Sequence, residues 1–208
     1  MRFYLGVIQL YKKNMNEHLQ DIANTIFNYF DQYGDQPYFG EAVSQLQHAC
    51  QAAERADTEG YDDDVIIAAF LHDIGHLCVE ADAHNQMEGY GTIDHERIGA
   101  HYLREKGFSD TVCRLVAAHV PAKRYLTYVD EMYYNNLSDA SKQTLQFQGG
   151  RMSPDEAQTF EEDPLFPLYI QMRLWDEAAK QPDIEPFDLS NMKARVVAHL
   201  KRHHAETV

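Results

Sequence analysis

The chain has 208 residues, of which 44% are hydrophobic and 25% charged, with 33 acidic against 18 basic side chains and a net charge of −15. That length suits one domain able to bury a real core, and the composition is that of a soluble globular protein. The acidic balance argues against nucleic acid and against anionic membrane surfaces as partners. No apolar run approaches the roughly 20 residues that a membrane-spanning helix needs.

Residues 1–208 are read as a single domain with an N-terminal extension of about 1–14. The segment Met1 to Tyr11 is short and mildly apolar, and no small-residue cleavage site follows it, so no signal peptide is expected. Three cysteines, Cys50, Cys78 and Cys113, are odd in number, which fits reduced thiols and a cytoplasmic location.

Apolar positions recur at helical spacing almost throughout, and no alternating strand of six residues is present. Leu19, Ile22, Ala23, Ile26 and Phe27 predict a helix from about Met15 to Asp31. Ala42, Val43, Leu46, Ala49 and Cys50 predict another from Glu41 to about Arg55. Asp62-Asp63-Asp64 reads as a capped helix start rather than a metal cluster, because carboxylates suit a helix N-terminus. Val65 to Leu71 is then nearly all apolar and predicts a buried helix, ending near Gly75. Residues 80–92 have loop composition. Helices follow from Asp94 to Lys106 and from Ser109 to about His119, where Pro121 is expected to break the second. Ser153-Pro154-Asp155-Glu156 opens a further helix with a cap and a proline at its first position. Pro164 to Ala179 and Leu189 to His204 complete an all-α fold.

The chemistry concentrates around His72-Asp73. The pair closes a buried apolar helix, where an unpaired carboxylate would be costly, so Asp73 needs a cation. His48, His95 and His119 each fall in a separate predicted helix, and Asp176 arrives in Arg173-Leu174-Trp175-Asp176. Helices of a bundle can converge such side chains on a core. Imidazole and carboxylate suit Fe, Mn, Co or Zn, and four histidines with two aspartates exceed what one tetrahedral ion needs. With Asp73 bridging, they fill two coordination spheres. Lys123, four residues after His119, and Arg173, three before Asp176, would bring positive charge beside the metals. An anionic substrate needs that charge, since the chain as a whole repels anions. Arginine offers a bidentate fork to an oxyanion and lysine a point charge. His84 in a polar loop and His101, turned away from His95, are given no role. Nor are His199, His203 and His204, on a basic terminal helix expected to be exposed.

The order His48, His72-Asp73, Asp176 resembles the HD-domain superfamily, whose generic members are metal-dependent phosphohydrolases. The likeness sharpens in Tyr38-Phe39-Gly40-Glu41 leading to His48, and in Gly89-Tyr90-Gly91 before His95-Glu96. It continues in His119-Val120-Pro121-Ala122-Lys123, Asn136-Leu137-Ser138-Asp139-Ala140-Ser141 and Arg173-Leu174-Trp175-Asp176-Glu177. Together these resemble the HD-domain mixed-valence diiron oxygenases, the PhnZ-type hydroxyphosphonate dioxygenases that cleave carbon–phosphorus bonds. The resemblance spans roughly Tyr38 to Lys180.

By that resemblance the fold is an HD-domain helical bundle with a central dinuclear site and two iron ions in a mixed-valent Fe(II)/Fe(III) state, with O2 as co-substrate. One iron is held by His48, His72, Asp73 and Asp176, the other by Asp73, His95 and His119. Tyr38 occupies the open iron until substrate displaces it, Glu41 senses the substrate's cationic end, and His76, Lys123, Ser141 and Arg173 hold the phosphonate. The implied catalytic set is Asp73, Tyr38 and His76. The implied substrate is a small 1-hydroxy-2-(amino or trimethylammonio)ethylphosphonate, yielding phosphate and glycine or glycine betaine. A 2-oxoglutarate-dependent hydroxylase would make this substrate upstream. A quaternary nitrogen would seek aromatic faces, for which Phe39, Tyr90, Tyr125 and Tyr128 are the candidates. Three rivals remain: an HD-type phosphohydrolase acting on a small phosphate ester, a polyol-cleaving diiron oxygenase, and a binding module with a degenerate HD core.

Overall fold

The computed structural model describes residues 2–79, 85–182, 184 and 189–206, with the backbone alone for 2–12 and 206. Among the described residues every regular element is helical. They are α1 (Arg2–Tyr33), α2 (Gln45–Thr58), α3 (Asp63–Leu71), a 3-10 turn (Ile74–His76), α4 (His95–Glu105) and α5 (Asp110–Val129). They continue with α6 (Glu131–Asn136), α7 (Asp139–Phe147), α8 (Pro154–Glu161), α9 (Phe166–Ala178) and α10 (Leu189–Glu206). Extended pairing among the described residues is confined to two isolated bridges, Pro37 with Ser44 and Gln86 with Thr92. No described helix is long and apolar enough to cross a membrane.

The centre is α3. Every side chain from Val65 to Leu71 is buried, which an all-apolar helix can satisfy only if other helices enclose it. Helices α2, α5, α9 and α10 do so, while α4 packs on α5 and on the 3-10 turn. The ends are set locally, as expected: Asp62 accepts from the Val65 N–H at 3.1 Å, and Ser109 caps α5. Ser153 and Glu156 close a capping box on α8. Gly75 allows the last approach, because a Cβ there would lie 1.9 Å from the His95 carbonyl oxygen. Any side chain would push α4, and the histidine that begins it, away from α3.

Five expectations need correction. Helix α1 begins at Arg2 rather than Met15, so the residues taken for an extension continue the helix; no proline interrupts that run. Helix α2 begins at Gln45, not Glu41, because Ser44 and Gln47 form the capping box there. Glu41 therefore sits in a turn, with Gly40 at φ +86°. Pro121 does not end α5, which continues to Val129. Packing overrides the lost N–H: Lys123 and Thr127 beyond the proline are buried, and α5 lies against α3, α4 and α9. Helices α6 and α7 were not expected; they are capped by Asp130 and Ser138. His199 is fully buried rather than exposed. Its Nδ1 donates to Asp64 Oδ1 at 2.9 Å and its Nε2 accepts from the Ser109 N–H at 3.1 Å, which ties α10 to the starts of α3 and α5. His101 lies on an exposed face beside Glu105, while His84 lies outside the described residues.

Candidate metal centre

Six side chains from five parts of the chain converge beneath a narrow cleft. They are His48 from α2, His72 and Asp73 at the end of α3, His95 opening α4, His119 from α5 and Asp176 from α9. Each histidine donates its Nδ1–H to a main-chain carbonyl. His48 donates to Ala179 at 2.9 Å and His72 to Ala69 at 2.8 Å; His95 donates to Thr92 at 3.1 Å and His119 to Val116 at 2.7 Å. A carbonyl only accepts, so in the neutral form of each ring the Nε2 carries a lone pair.

Those lone pairs face one another. His48 Nε2 stands 3.1 Å from His72 Nε2, and His95 Nε2 stands 3.0 Å from His119 Nε2. Two buried acceptors at that separation repel unless a cation lies between them. Asp73 serves both pairs. Its Oδ2 is 3.3 Å from His72 and 3.7 Å from His48, while its Oδ1 is 3.3 Å from both His95 and His119. Asp176 Oδ1 lies 3.4 Å from His48 Nε2, and it is a buried oxygen with no hydrogen-bond partner.

The electrostatics ask for positive charge at the same place. Burial opposes ionisation of both aspartates, but His72 beside Asp73 and Arg173 beside Asp176 hold both well below the usual carboxylate range. Burial also opposes a charge on His72, yet Asp73 and Asp176 outweigh it and pull that imidazole up to about 9. A metal ion would supply the charge that a proton on His72 otherwise supplies. The donor set of four imidazoles and two carboxylates fits two borderline metal ions. The His48–His72–Asp176 side offers more ligands, the His95–His119 side fewer and hence more open positions.

His76 belongs to a different class. Its Nδ1 accepts from the Thr92 N–H at 2.9 Å, so its Nε2 carries the hydrogen. Burial and the neighbouring His95 keep the ring neutral, and it points a donor into the cleft rather than a lone pair. Gly91, at φ +93°, makes room, since a Cβ there would sit 2.6 Å from the His76 ring. Tyr38 stacks on His48 at 3.9 Å and donates to Asp73 Oδ2 at 2.8 Å. Burial, then Asp73 and Asp176, keep that phenol protonated.

The cleft above is lined by Tyr38, Glu41, His76, Lys123, Ser141 and Arg173 among others, so all the expected substrate-side residues come together. Lys123 is buried and donates to Thr144 at 2.8 Å; burial, then Arg173, push its ammonium down to about 7. Arg173 donates to Tyr133 at 2.8 Å and to Asp176 and Glu177. Of the aromatic cage candidates, Phe39 and Tyr90 line the cleft but Tyr125 and Tyr128 do not. Tyr125 packs against Phe160 and Phe166 and donates to Glu161, and Tyr128 is exposed. Sequence reasoning missed Lys180, which also lines the cleft. Its signal was a spacing: Lys180 follows Asp176 by four residues, as Lys123 follows His119. A separate grouping of Asp64, His199 and His203 is structural, because Ser109, His199 and Arg202 already engage Asp64.

A helical frame with a histidine–aspartate pair at its centre defines the HD-domain class, and the HD domain family model matches residues 45–159. The chain is 36% identical to a [1-hydroxy-2-(trimethylamino)ethyl]phosphonate dioxygenase (glycine-betaine-forming) of Leisingera caerulea, over 88% of this chain and 92% of the relative. It is 36% identical to a hydroxymethylphosphonate dioxygenase of Gimesia maris, over 86% and 88%, respectively. An uncharacterised protein of Acanthamoeba polyphaga mimivirus is 41% identical over 86% of this chain and 82% of its own length. The chain belongs to the PhnZ-type group of HD-domain oxygenases.

Proposed function

We propose that this protein uses two iron ions and O2 to cleave the carbon–phosphorus bond of a 1-hydroxyphosphonate, releasing phosphate and a carboxylic acid. The observation that carries the reading is the division of Asp73 between two pairs of facing imidazoles, directly below a cleft holding Lys123, Arg173 and Lys180. The names of the two dioxygenase relatives support the same chemistry. The reaction balances as R–CH(OH)–PO3H2 plus O2 giving R–COOH plus H3PO4, so no separate reductant is consumed.

In this reading His48, His72, Asp73 and Asp176 hold one iron and Asp73, His95 and His119 the other. Bound there, the pair supplies the redox chemistry with O2 and a Lewis-acid template. The side chains do the rest. Lys123 and the His76 Nε2–H meet the phosphonate oxygens, as a point charge and a neutral donor. Arg173 holds Asp176 in place and adds positive field. Tyr38 donates to the bridging carboxylate at rest and yields its place at the metals when substrate enters. The aminoethyl and trimethylammonioethyl substrates expected from the sequence fall within this class, but both rely on Glu41 to meet their nitrogen. The 1-hydroxy group would come from a 2-oxoglutarate-dependent hydroxylase acting before this protein, with both in the cytoplasm.

An HD-type phosphohydrolase would use the same ligands but consume water. Iron should be loaded anaerobically and the EPR signal recorded with and without a hydroxyphosphonate, followed by exposure to 18O2. A mixed-valent signal perturbed by substrate, with label in the carboxylic acid, is the expected result. Phosphate-ester hydrolysis without O2 uptake would replace the reading with the hydrolase.

A further inference from the structure

Glu41 already has a cation. The Lys180 Nζ lies 3.1 Å from Glu41 Oε1, with both side chains largely buried at 12% and 14% exposure. The Ser138 hydroxyl donates to the same oxygen at 2.6 Å. The same ammonium donates to Glu177 Oε1 at 3.0 Å and to Ser141 Oγ at 3.0 Å, which fixes it beside Glu41. Two fixed points of the backbone set this geometry. Ala179, the residue before, caps α9 and gives its carbonyl to His48. Ser138 caps α7 and brings Ser141 to the cleft.

We propose that Lys180 is a specificity-determining residue: it fills the position at Glu41 where a substrate's cationic nitrogen would pair, and so directs the cleft to 1-hydroxyphosphonates without a charged nitrogen. A substrate ammonium would have to displace Lys180 from Glu41. It would leave that lysine confined near Lys123 and Arg173, where like charges in a largely water-excluded cleft repel. A quaternary nitrogen fares no better. Tyr38 is already stacked on His48 and Phe39 already packs against His76 in a T-shaped contact, so fewer aromatic faces remain for a quaternary nitrogen. A compact substrate with hydrogen or a methyl group on C1 needs none of these partners, and Lys180 adds a third cation at Ser141 beside the phosphonate subsite. The inference rests on the oxygenase reading above and names the substrate class within it.

The test uses the iron-loaded full chain and four probes: hydroxymethylphosphonate, 1-hydroxyethylphosphonate, and the 2-amino and 2-trimethylammonio derivatives of the latter. O2 uptake gives kcat and KM for each, and anaerobic calorimetry gives binding without turnover. Wild type should favour the uncharged pair by tenfold or more. Lys180→Met should shift the ratio of kcat/KM toward the aminoethyl probe by tenfold or more, chiefly through KM, while Lys180→Arg should keep the wild-type order. A wild type that prefers the cationic probes, or a Lys180→Met variant that weakens all four equally, would overturn the proposal. Absence of O2 uptake with every probe would instead count against the oxygenase reading, and the calorimetric order would still judge Lys180.

Discussion

The rings of His76 and His95 stack at 3.9 Å and 20°, yet they carry their hydrogens on opposite nitrogens. Thr92 imposes both states: its N–H donates to His76 Nδ1 and its carbonyl accepts from His95 Nδ1. One residue thus turns a lone pair of His95 toward the metal site and an N–H of His76 toward the cleft. His95→Ala should lower bound metal from two ions per chain toward one. His76→Ala should keep two and raise KM, by tenfold to a hundredfold if a hydrogen bond to a charged group is worth roughly 1.5–3 kcal/mol. Metal analysis by mass spectrometry beside steady-state kinetics checks both. Equal metal loss in the two variants would place His76 among the ligands.

The pH dependence should follow Lys123. Burial lowers its ammonium to about 7, so the free protein carries the charge below that pH and loses it above. An anion binding beside it favours the charged form, and kcat/KM should therefore fall about tenfold per pH unit on the alkaline side of neutrality. Lys123→Arg stays protonated and should remove that limb while binding metal normally. An unmoved limb in the variant would assign it to another group, the phosphonate included.

Arg173 should act on the metals as well as on the anion. It bonds Tyr133, Asp176 and Glu177 together, and outer partners of this kind are worth 10–100-fold in metal affinity. Arg173→Lys cannot reproduce three directed contacts. It should lose metal to a chelator about 10–100-fold more readily, whereas Lys123→Ala should retain metal and lose only substrate affinity. Competition titration with a chromogenic chelator distinguishes them.

Tyr38 donates to Asp73, the residue proposed to bridge the two ions. Tyr38→Phe keeps the stack on His48 but removes the donor, and with it any capacity of the phenol to cover the open position. Iron-loaded Tyr38→Phe should lose activity in air, without substrate, several times faster than wild type. Identical half-lives would reduce Tyr38 to a packing residue.

Much of this arrangement was legible in the chain itself. Local rules decide where α3, α5 and α8 begin, because Asp62, Ser109 and Ser153 satisfy amides within three residues of themselves. Periodicity decides that α3 is buried. The surplus of His48, His72, Asp73, His95, His119 and Asp176 over one ion's needs is a property of residue type alone. The motifs around them carried the family, which the comparisons bear out.

What the sequence could not settle are matters of distance and direction. His72 and His76 look equivalent four residues apart, but Ala69 and Thr92 assign them opposite hydrogens. Pro121 ought to end a helix by its missing N–H, and only the helices packed around α5 carry it through to Lys123 and Thr127. His199 lies in a basic stretch and still fills a core position, because Asp64 and Ser109 meet it from distant parts of the chain. Glu41 reads as a receptor for a cation until α9 delivers Lys180 to it. Spacing along a chain determines which residue types can share a helix face. The partner each one meets, and so its charge and tautomer, is decided when separate helices pack.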